Sequence, residues 1–322
     1  MILIILGTRA EYIKMFPLIK EMDKQGLQFK VIATGQHNLE DLNKKFKRDI
    51  IYLTTPPDES SRFGFSKFKA LKWAAKIFFK LNKLFSGGYY DTKYPEEDPY
   101  IPDYILAHGD TMSTAIISLS SFFTFVPLIH IESGLNSFNI KEPFPEEIMR
   151  RIAIKIARYH FAPTKEAVEN LKGKKNVYFV GNTIFDLLKD YKLKPHKGNY
   201  VVASIHRQEN MNSKERMRII TNAMNYCNRK VILFAHDPFL VALKKFGLGL
   251  NKNVEVKKLV NHKDFLKCLV NCDFVIGDGG SIQEECAYFK KPYVMMRAWT
   301  ERKNIYTKLG ASKKIVEILK NG

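Results

Sequence analysis

The segment best suited to ligand chemistry is Asp278-Gly279-Gly280-Ser281-Ile282-Gln283-Glu284-Glu285, which follows an apolar run and precedes a helix-compatible stretch. A glycine-serine turn between a strand and a helix offers backbone N–H groups and the positive end of a helix dipole. Both features suit a phosphate or a diphosphate. The carboxylate of Glu285, one helical turn further on, is placed to reach sugar or ribose hydroxyls. Because Gly-Gly pairs also occur in ordinary turns, this segment alone does not define a site.

Several carboxylates stand where acid-base chemistry would need them. Asp110 and Glu132 each follow an apolar, strand-like segment, and Glu146 stands with Glu147 directly after Pro145. Open α/β sheets bind ligands at the carboxyl ends of their strands. Crowding and partial burial there separate carboxyl pKa values, which suits proton transfer. Asp110 could instead cap a helix, and the Glu pair could simply begin one.

Cationic and polar side chains follow the other strand-like segments of the chain. At such strand ends, imidazole and guanidinium groups suit a diphosphate, whereas a lone histidine is more often a buried structural residue. The candidates are Arg9, Lys14 and Gln36 in the first half, and His206, His236 and Arg302 in the second.

Apolar segments recur along the chain with helical segments between them, which predicts an α/β fold with parallel sheets covered on both faces. The polar stretch Leu188–Asn199 separates two such series. We therefore predict two Rossmann-like domains, 1–187 and 188–322, with the active site in the cleft between them and the final helix packing back on the first domain. The predicted strands are Ile2–Leu6, Phe29–Ala33, Tyr104–Ala107, Leu128–Ile131, Tyr159–Ala162, Val177–Val180, Tyr200–Ile205, Val231–Ala235, Val254–Lys257, Phe274–Ile276 and Tyr293–Met296.

Composition narrows the class of protein. The chain has 322 residues, 45% of them hydrophobic, and a formal net charge of +19. The charge favours anionic partners such as nucleotide phosphates, but the lysines are dispersed without a nucleic-acid-binding motif, so we expect no nucleic acid partner. No apolar run reaches the roughly 18–20 residues of a membrane span. The cysteines lack metal-type spacing, which favours reduced thiols in a cytosolic protein; they are Cys227, Cys268, Cys272 and Cys286.

A basic segment, 66–85, interrupts the alternation of strands and helices. Apolar residues such as Phe68, Leu71 and Phe78 alternate with lysines at helical spacing. Such a helix could lie on an anionic membrane surface. We favour a helix that packs against the core or against a second copy of the chain in a homodimer, with its lysines in solvent.

Taken in order, the motifs of the chain resemble those of the UDP-N-acetylglucosamine 2-epimerase family. The resemblance runs along essentially the whole chain and is carried by GTRAE, TGQH, HGDT, HIESGL, PEEIMRR, HFAPT, VGNTIFD, SIHRQEN, HDP, GGSIQEE and TERK. It implies a two-domain, glycosyltransferase-B-type fold. It also implies a cytoplasmic enzyme that interconverts UDP-GlcNAc and UDP-ManNAc, without a metal or another cofactor, in the synthesis of surface polysaccharide or glycan precursors.

The resemblance also implies roles for the matching residues. Asp110, Glu132 and Glu146 would carry proton transfer and sugar positioning while UDP is eliminated and added back through a 2-acetamidoglucal. His206 would serve the catalytic centre and, with the glycine-serine turn and Arg9, hold the diphosphate, and Glu285 would bind the ribose hydroxyls. Further binding positions that match the family motifs are Lys14, Gln36, Arg150, His236 and Arg302.

Other functions remain open from the sequence. A hydrolysing 2-epimerase would release ManNAc and UDP, although Glu132-Ser133-Gly134-Leu135 favours the non-hydrolysing type. A glycosyltransferase of the same fold would use the nucleotide site and add an acceptor site. A silent nucleotide-sugar binding protein would not need the three candidate carboxylates. Asn136 replaces a usual arginine, and Leu39 replaces a polar residue of the activating site of bacterial members, which leaves allosteric activation open.

Overall fold

The chain forms two compact α/β units. In the computed structural model, residues 1–47, 50–55, 67–87, 101–140, 142–302, 304–305 and 307–321 are described, with no side-chain detail for residues 67 and 68. One unit comprises Met1–Leu187 and Lys308–Gly322, and the other comprises Leu188–Thr307. The last segment thus groups with the first unit, in place of the single 188–322 range drawn from the sequence.

The first unit has a seven-stranded sheet in the order β3-β2-β1-β4-β5-β6-β7. Its strands are β1 (Ile2–Leu6), β2 (Phe29–Ala33), β3 (Ile51–Tyr52), β4 (Tyr104–His108), β5 (Leu128–Ile131), β6 (Tyr159–Ala162) and β7 (Val177–Phe179). Its helices are α1 (Arg9–Lys24), α2 (Glu40–Phe46), α3 (Lys67–Phe85), α4 (Met112–Thr124), α5 (Glu146–Ile156), α6 (Lys165–Asn170) and, reaching the boundary between the units, α7 (Ile184–Asp190).

The second unit has a five-stranded sheet in the order β10-β9-β8-β11-β12. Its strands are β8 (Tyr200–Ser204), β9 (Lys230–Phe234), β10 (Val254–Lys257), β11 (Val275–Gly277) and β12 (Tyr293–Met295). Its helices are α8 (Gln208–Met211), α9 (Lys214–Asn225), α10 (Asp237–Phe246), α11 (His262–Asn271) and α12 (Gly280–Tyr288), and the chain then returns to the first unit with α13 (Ala311–Asn321).

Every strand pairing in the two sheets is parallel. The predicted fold class is therefore confirmed. The physical reason is visible in β1, whose side chains are all buried because helices cover both faces of the sheet. Ile4 and Leu6 face a cluster shared with α1 and α13, while Leu3 and Ile5 face a cluster shared with α3 and α4.

The final helix α13 packs against α1. Ile315 and Val316 are buried in the same cluster as the first strand. The N-terminal end of α13 is held by Asp186, which accepts hydrogen bonds from the backbone N–H of Gly310 (2.6 Å) and Ser312 (2.8 Å). The predicted linker at 188–199 is partly helical, because α7 continues as far as Asp190.

The basic segment forms a helix, α3, as its spacing predicts. Its residues Ile77, Leu81 and Phe85 are buried in the core of the first unit. This apolar side of the helix therefore packs within the chain itself. Leu71 and Phe79 are exposed. None of the described helices is both long and apolar enough to cross a membrane.

All four cysteines are free thiols. Burial raises the pKa of Cys272 to about 11 and raises the pKa of Cys286 as well. Both thiols therefore stay protonated at neutral pH and behave as structural residues.

Two buried histidines make the stability of the first unit depend on pH. His130 and His160 lie on β5 and β6, and burial lowers the pKa of each to about 4. At pH 7 both imidazoles are neutral in the folded chain and mostly neutral in the unfolded chain. As the pH falls below about 6.5, the unfolded chain takes up protons that the folded chain refuses until about pH 4. Stability is therefore lost as the pH falls through this window.

We expect His160→Gln to reduce that pH dependence. Between pH 7 and pH 5 each buried histidine should cost about 2 kcal/mol of unfolding free energy, so the variant should lose about 2 kcal/mol less than the wild type over this range. Urea titrations at the two pH values measure the difference. His196→Gln, at an exposed position, is the matched control. An identical pH dependence in His160→Gln and the wild type would contradict the prediction.

Candidate active site

The carboxyl ends of β2, β1, β4 and β5 lie side by side in the first sheet. Because all these strands are parallel, the loops that follow them emerge at one edge. Lys14, Gln36, Asp110 and Glu132 lie on or just beyond these loops. The sheet order thus brings together residues that are far apart along the chain.

Glu132 is held by two basic side chains in the interior. Lys14 Nζ lies 3.1 Å from Oε1 and 2.9 Å from Oε2 of Glu132, and His108 Nε2 lies 3.0 Å from Oε2. The Glu132 side chain is only 4% exposed. Its backbone φ of 64° lies in the left-handed region, which residues other than glycine rarely adopt and which clusters at functional sites. Glu132 is thus a buried, paired carboxylate.

Asp110 is the more accessible carboxylate of this edge, with a side chain 25% exposed. It pairs with Nη2 of Arg150, whose Nη1 pairs with Glu147. The Arg150 side chain is 2% exposed. Sequence matching had placed Arg150 among the substrate-binding residues, but the structure buries it behind Asp110. An adjacent guanidinium favours the ionised form of a carboxylate.

The N-terminus of α1 is capped by a side chain of the helix itself. The Glu11 carboxylate accepts hydrogen bonds from the backbone N–H of Gly7 (2.6 Å) and Thr8 (2.8 Å). Burial raises the pKa of Glu11, whereas these contacts and the Thr111 hydroxyl oppose the rise. Arg9, a predicted diphosphate-binding residue at the start of this helix, is paired with Asp41.

Two further predicted residues of the first unit lie at the same edge. The side-chain oxygen of Gln36 accepts a hydrogen bond from the Ser113 hydroxyl, 2.7 Å away, which links the loop after β2 to the start of α4. Glu146 is the first residue of α5, and Pro145 occupies the N-cap position. Glu146 is partly buried, and its neighbour Glu147 is fully buried.

Asp278 organises the corresponding edge of the second unit. This fully buried carboxylate follows β11 and accepts hydrogen bonds from the backbone N–H of His206 (3.0 Å) and Arg207 (2.9 Å) and from Asn210 Nδ2 (2.9 Å). It thereby fixes the loop after β8 against the glycine-serine turn. The His206 side chain remains 38% exposed. The His206 and His236 rings lie 5.9 Å apart.

The two glycines of the turn are closely approached by side chains. A Cβ atom on Gly279 would lie 2.6 Å from His206 Cε1, and one on Gly280 would lie 2.6 Å from Arg302 Nη1. Gly280 begins α12, so an imidazole and a guanidinium converge on a helix N-terminus. Arg302 also pairs with Glu284 (2.7 Å) and with Glu301. This combination of helix dipole and cations suits an anion.

A third guanidinium, that of Arg297, lies near this turn. Its Nη2 donates a hydrogen bond to the Thr300 hydroxyl (2.9 Å), and the Thr300 hydroxyl in turn donates to Gln283 of α12 (3.1 Å). Burial lowers the pKa of Arg297 to about 10, and the charges of Arg207 and Arg302 act in the same direction. Arg297 Nη2 also lies 3.3 Å from Oε2 of Glu301, so the Arg297 and Arg302 guanidinium groups share Glu301 as a carboxylate partner.

Glu285 is buried one helical turn into α12. Its Oε1 lies 2.8 Å from His262 Nε2, at the start of α11. The His262 ring in turn lies 5.8 Å from the ring of Tyr191. Burial raises the pKa of Tyr191 to about 12, and the Glu285 charge adds to this effect.

Sequence reasoning missed several residues of these two edges. His108, Asp278 and His262 were assigned no role, although the first two belong to motifs that were singled out, and Glu147 was considered only with Glu146 as part of one acidic pair. His108 ends a strand, and Asp278 precedes the glycine pair. His262 lacked any local signal, because its role arises from the packing of α11 beside α12. Among the described residues, no group of three or more histidine, cysteine, aspartate or glutamate side chains could hold a metal ion.

Comparison with known proteins identifies the family. A family model described as UDP-N-acetylglucosamine 2-epimerase matches residues 94–320. The chain belongs to the UDP-N-acetylglucosamine 2-epimerase family. The UDP-N-acetylglucosamine 2-epimerase of Campylobacter jejuni is 27% identical to this family member, and the match covers 94% of the chain and 82% of the relative.

Solved structures share the fold of this 2-epimerase family member. A Neisseria meningitidis UDP-GlcNAc 2-epimerase bound to UDP-GlcNAc matches with a TM-score of 0.79 at 24% identity, covering 100% of both chains. An S. aureus protein in a co-structure with UDP matches with a TM-score of 0.74 at 27% identity, covering 100% of this chain and 88% of that one. The two parallel sheets are thus those of the glycosyltransferase-B-type, two-domain fold.

We expect Lys14→Met to destabilise the first unit. The substitution leaves the buried Glu132 carboxylate without its ammonium partner, and breaking a buried ion pair from one side costs about 3–5 kcal/mol. Urea unfolding measures the loss. Lys20→Met, at an exposed position on the same helix, is the control and should change stability by no more than about 0.5 kcal/mol. Equal stabilities of the two variants would contradict the assignment.

Proposed function

We propose that this protein is a non-hydrolysing UDP-N-acetylglucosamine 2-epimerase that interconverts UDP-GlcNAc and UDP-ManNAc. Membership of the family and a curated relative with this name support the proposal. The observation in the structure that carries it is an accessible, arginine-paired carboxylate, Asp110, at a sheet edge rich in buried polar groups. The product would serve surface polysaccharide or glycan precursor synthesis in the cytoplasm.

The chemistry requires a group that takes the proton from C2 of the sugar. Asp110 is the best placed of the three candidates, because its side chain is partly exposed while Arg150 favours its ionised form. Glu132 is held by Lys14 and His108 in the interior, so its proposed role is to orient groups that contact the sugar. Glu146, at the start of α5, is the candidate for returning a proton on the other face.

Elimination of UDP across C1 and C2 would give an enzyme-bound 2-acetamidoglucal, to which UDP then adds back. Negative charge develops on the diphosphate as the C1–O bond breaks, so donors fixed at that position favour the step. The proposed donors are the N-terminus of α12, His206 and Arg302. Glu285 is proposed to accept hydrogen bonds from the ribose hydroxyls. Arg9, Lys14, Gln36 and His236 remain proposed binding residues.

We expect Asp110→Asn to abolish exchange of the C2 hydrogen. The variant protein, incubated with UDP-GlcNAc in deuterated water and followed by proton NMR, should incorporate deuterium about 10²–10⁴ times more slowly than wild type, as is typical when an acid or base is removed. Its affinity for UDP, measured by calorimetry, should be nearly unchanged. Glu132→Gln should also abolish exchange, and Glu146→Gln should slow it.

Glu285→Ala is the complementary variant in the other unit. Loss of a charged hydrogen-bonding group should weaken UDP binding by about 1–3 kcal/mol.

Full exchange in both the Asp110 and Glu132 variants would contradict the proposed chemistry. Free ManNAc accumulating with UDP in the wild-type reaction would instead identify a hydrolysing enzyme.

We propose further that the protein is a homodimer through an aromatic face on α3 and α4. Phe78 of α3 links the two helices, because its ring lies 5.6 Å from that of Phe123 on α4. Its ring also lies 5.8 Å from that of Phe79 on its own helix. Phe122 continues the contact, with its ring 5.5 Å from that of Phe123. Phe79, Phe122, Phe123 and Phe125 are all exposed. A contiguous apolar surface of this kind is typical of a contact between proteins.

Phe122→Glu should therefore produce a monomer. A charge placed within an apolar interface opposes association, whereas an exposed residue can carry it at little cost to folding. Sedimentation velocity at micromolar concentration should give twice the 37.3 kDa chain mass for the wild type and the chain mass for the variant. Tyr226→Glu, exposed on the second unit, is the control. A monomeric wild type that sediments with anionic vesicles would support the membrane alternative for α3.

A further inference from the structure

Glu147 is a buried acid with no role in the reaction proposed above. Its side chain is 1% exposed. It accepts hydrogen bonds from the Ser137 backbone N–H (3.2 Å), the Ser137 hydroxyl (3.1 Å) and Arg151 Nε (3.1 Å), and it pairs with Arg150 Nη1. A carboxylate buried among four donors is fully satisfied and does not reach a ligand. Its effect on chemistry must therefore pass through another residue.

Arg150 is the residue through which that effect passes. Its buried guanidinium is shared between two carboxylates, with Nη1 on Glu147 and Nη2 on Asp110. The two acids differ in their surroundings, since Glu147 lies in the interior whereas Asp110 is partly exposed at the ligand edge. The rigid fork of the guanidinium transmits the position of one carboxylate to the other.

We propose that Glu147 is a positioning residue for the reaction: it anchors the Arg150 guanidinium from inside, and Arg150 thereby fixes the orientation of the Asp110 carboxylate. This inference rests on the proposed function, in which Asp110 takes the C2 proton. Ser137 adds a second tether, because its hydroxyl joins the loop after β5 to the Glu147 carboxylate. Asp110 is thus held through Nη2 of Arg150, while its side chain remains 25% exposed.

An isosteric substitution separates this role from simple packing. Glu147→Gln keeps the size of the side chain and can still bond Ser137, but it removes the charge that anchors Arg150. Arg150 then has Asp110 as its remaining carboxylate partner and should draw it out of the productive orientation. Misplacement of a reacting group by about 1 Å can cost about 100-fold in rate. A purely structural role would lower stability and leave the rate per folded molecule unchanged.

The kinetic test compares the full-length wild type with Glu147→Gln, Glu147→Asp and Arg151→Gln, using deuterium incorporation at C2 of UDP-GlcNAc. We expect Glu147→Gln to lower kcat about 10- to 100-fold, with KM and the Kd for UDP within about twofold of wild type. Glu147→Asp should recover part of the loss. Arg151→Gln is the matched control, because Arg151 contacts the same carboxylate but is 47% exposed. A wild-type kcat in Glu147→Gln, or a change confined to KM, would overturn the proposal.

A spectroscopic arm keeps this test separate from that of the proposed function. In chains labelled with ¹⁵N-arginine, the side-chain signal lost in Arg150→Lys identifies Arg150. Its exchange with solvent should be at least about tenfold faster in Glu147→Gln and unchanged in Arg151→Gln. If the wild type shows no exchange at C2, the proposed function fails, and this signal alone decides whether Glu147 anchors Arg150. An unaltered signal in Glu147→Gln would overturn the inference. If Glu147→Gln does not fold, Glu147→Asp, whose shorter side chain withdraws the carboxylate from Arg150, should still give faster exchange than the wild type, and an unaltered signal in that variant would likewise overturn the inference.

Discussion

A charged side chain that leaves water must be compensated by an opposite charge or by hydrogen bonds, and this constraint shapes the ligand edge of the first unit. Lys14 of α1 meets Glu132 of the loop after β5, so a helix near the start of the chain is tied to a strand more than a hundred residues later. Arg150 meets the same requirement with two carboxylates. These pairs give the edge one arrangement, and they leave Asp110 as the partly exposed member.

The same constraint applies in the second unit, where the buried charge belongs to a carboxylate. Asp278 is fully buried, and it is compensated by backbone and side-chain donors from the segment that follows β8. This contact brings His206 so close to the turn that a Cβ atom on Gly279 would require the imidazole to shift. The hydrogen bonds to Asp278 therefore position the His206 imidazole beside the N-terminus of α12.

Most of the fold could be predicted from the sequence, because buried parallel strands have a strong local signal. Apolar segments such as Ile2–Leu6 and Val254–Lys257 match the observed strands, whereas the two-residue strand Ile51–Tyr52 was missed because it is too short to show a pattern. The site was predictable only in outline. Asp110 and Glu132 were recognised by their positions after strands, but the sequence could not separate an accessible acid from one buried against Lys14.

The sequence by itself determined the fold class, the family and the loops that carry polar residues, since each of these depends on local pattern and ordered motifs. Only the tertiary structure decided which side chains are buried and which are partners. It placed Arg150 behind Asp110, gave Glu147 four donors, and set His262 of α11 against Glu285 of α12. The physical reason is that burial and ion pairing depend on distances between elements remote along the chain, which the order of strands in the sheet establishes and no local pattern encodes.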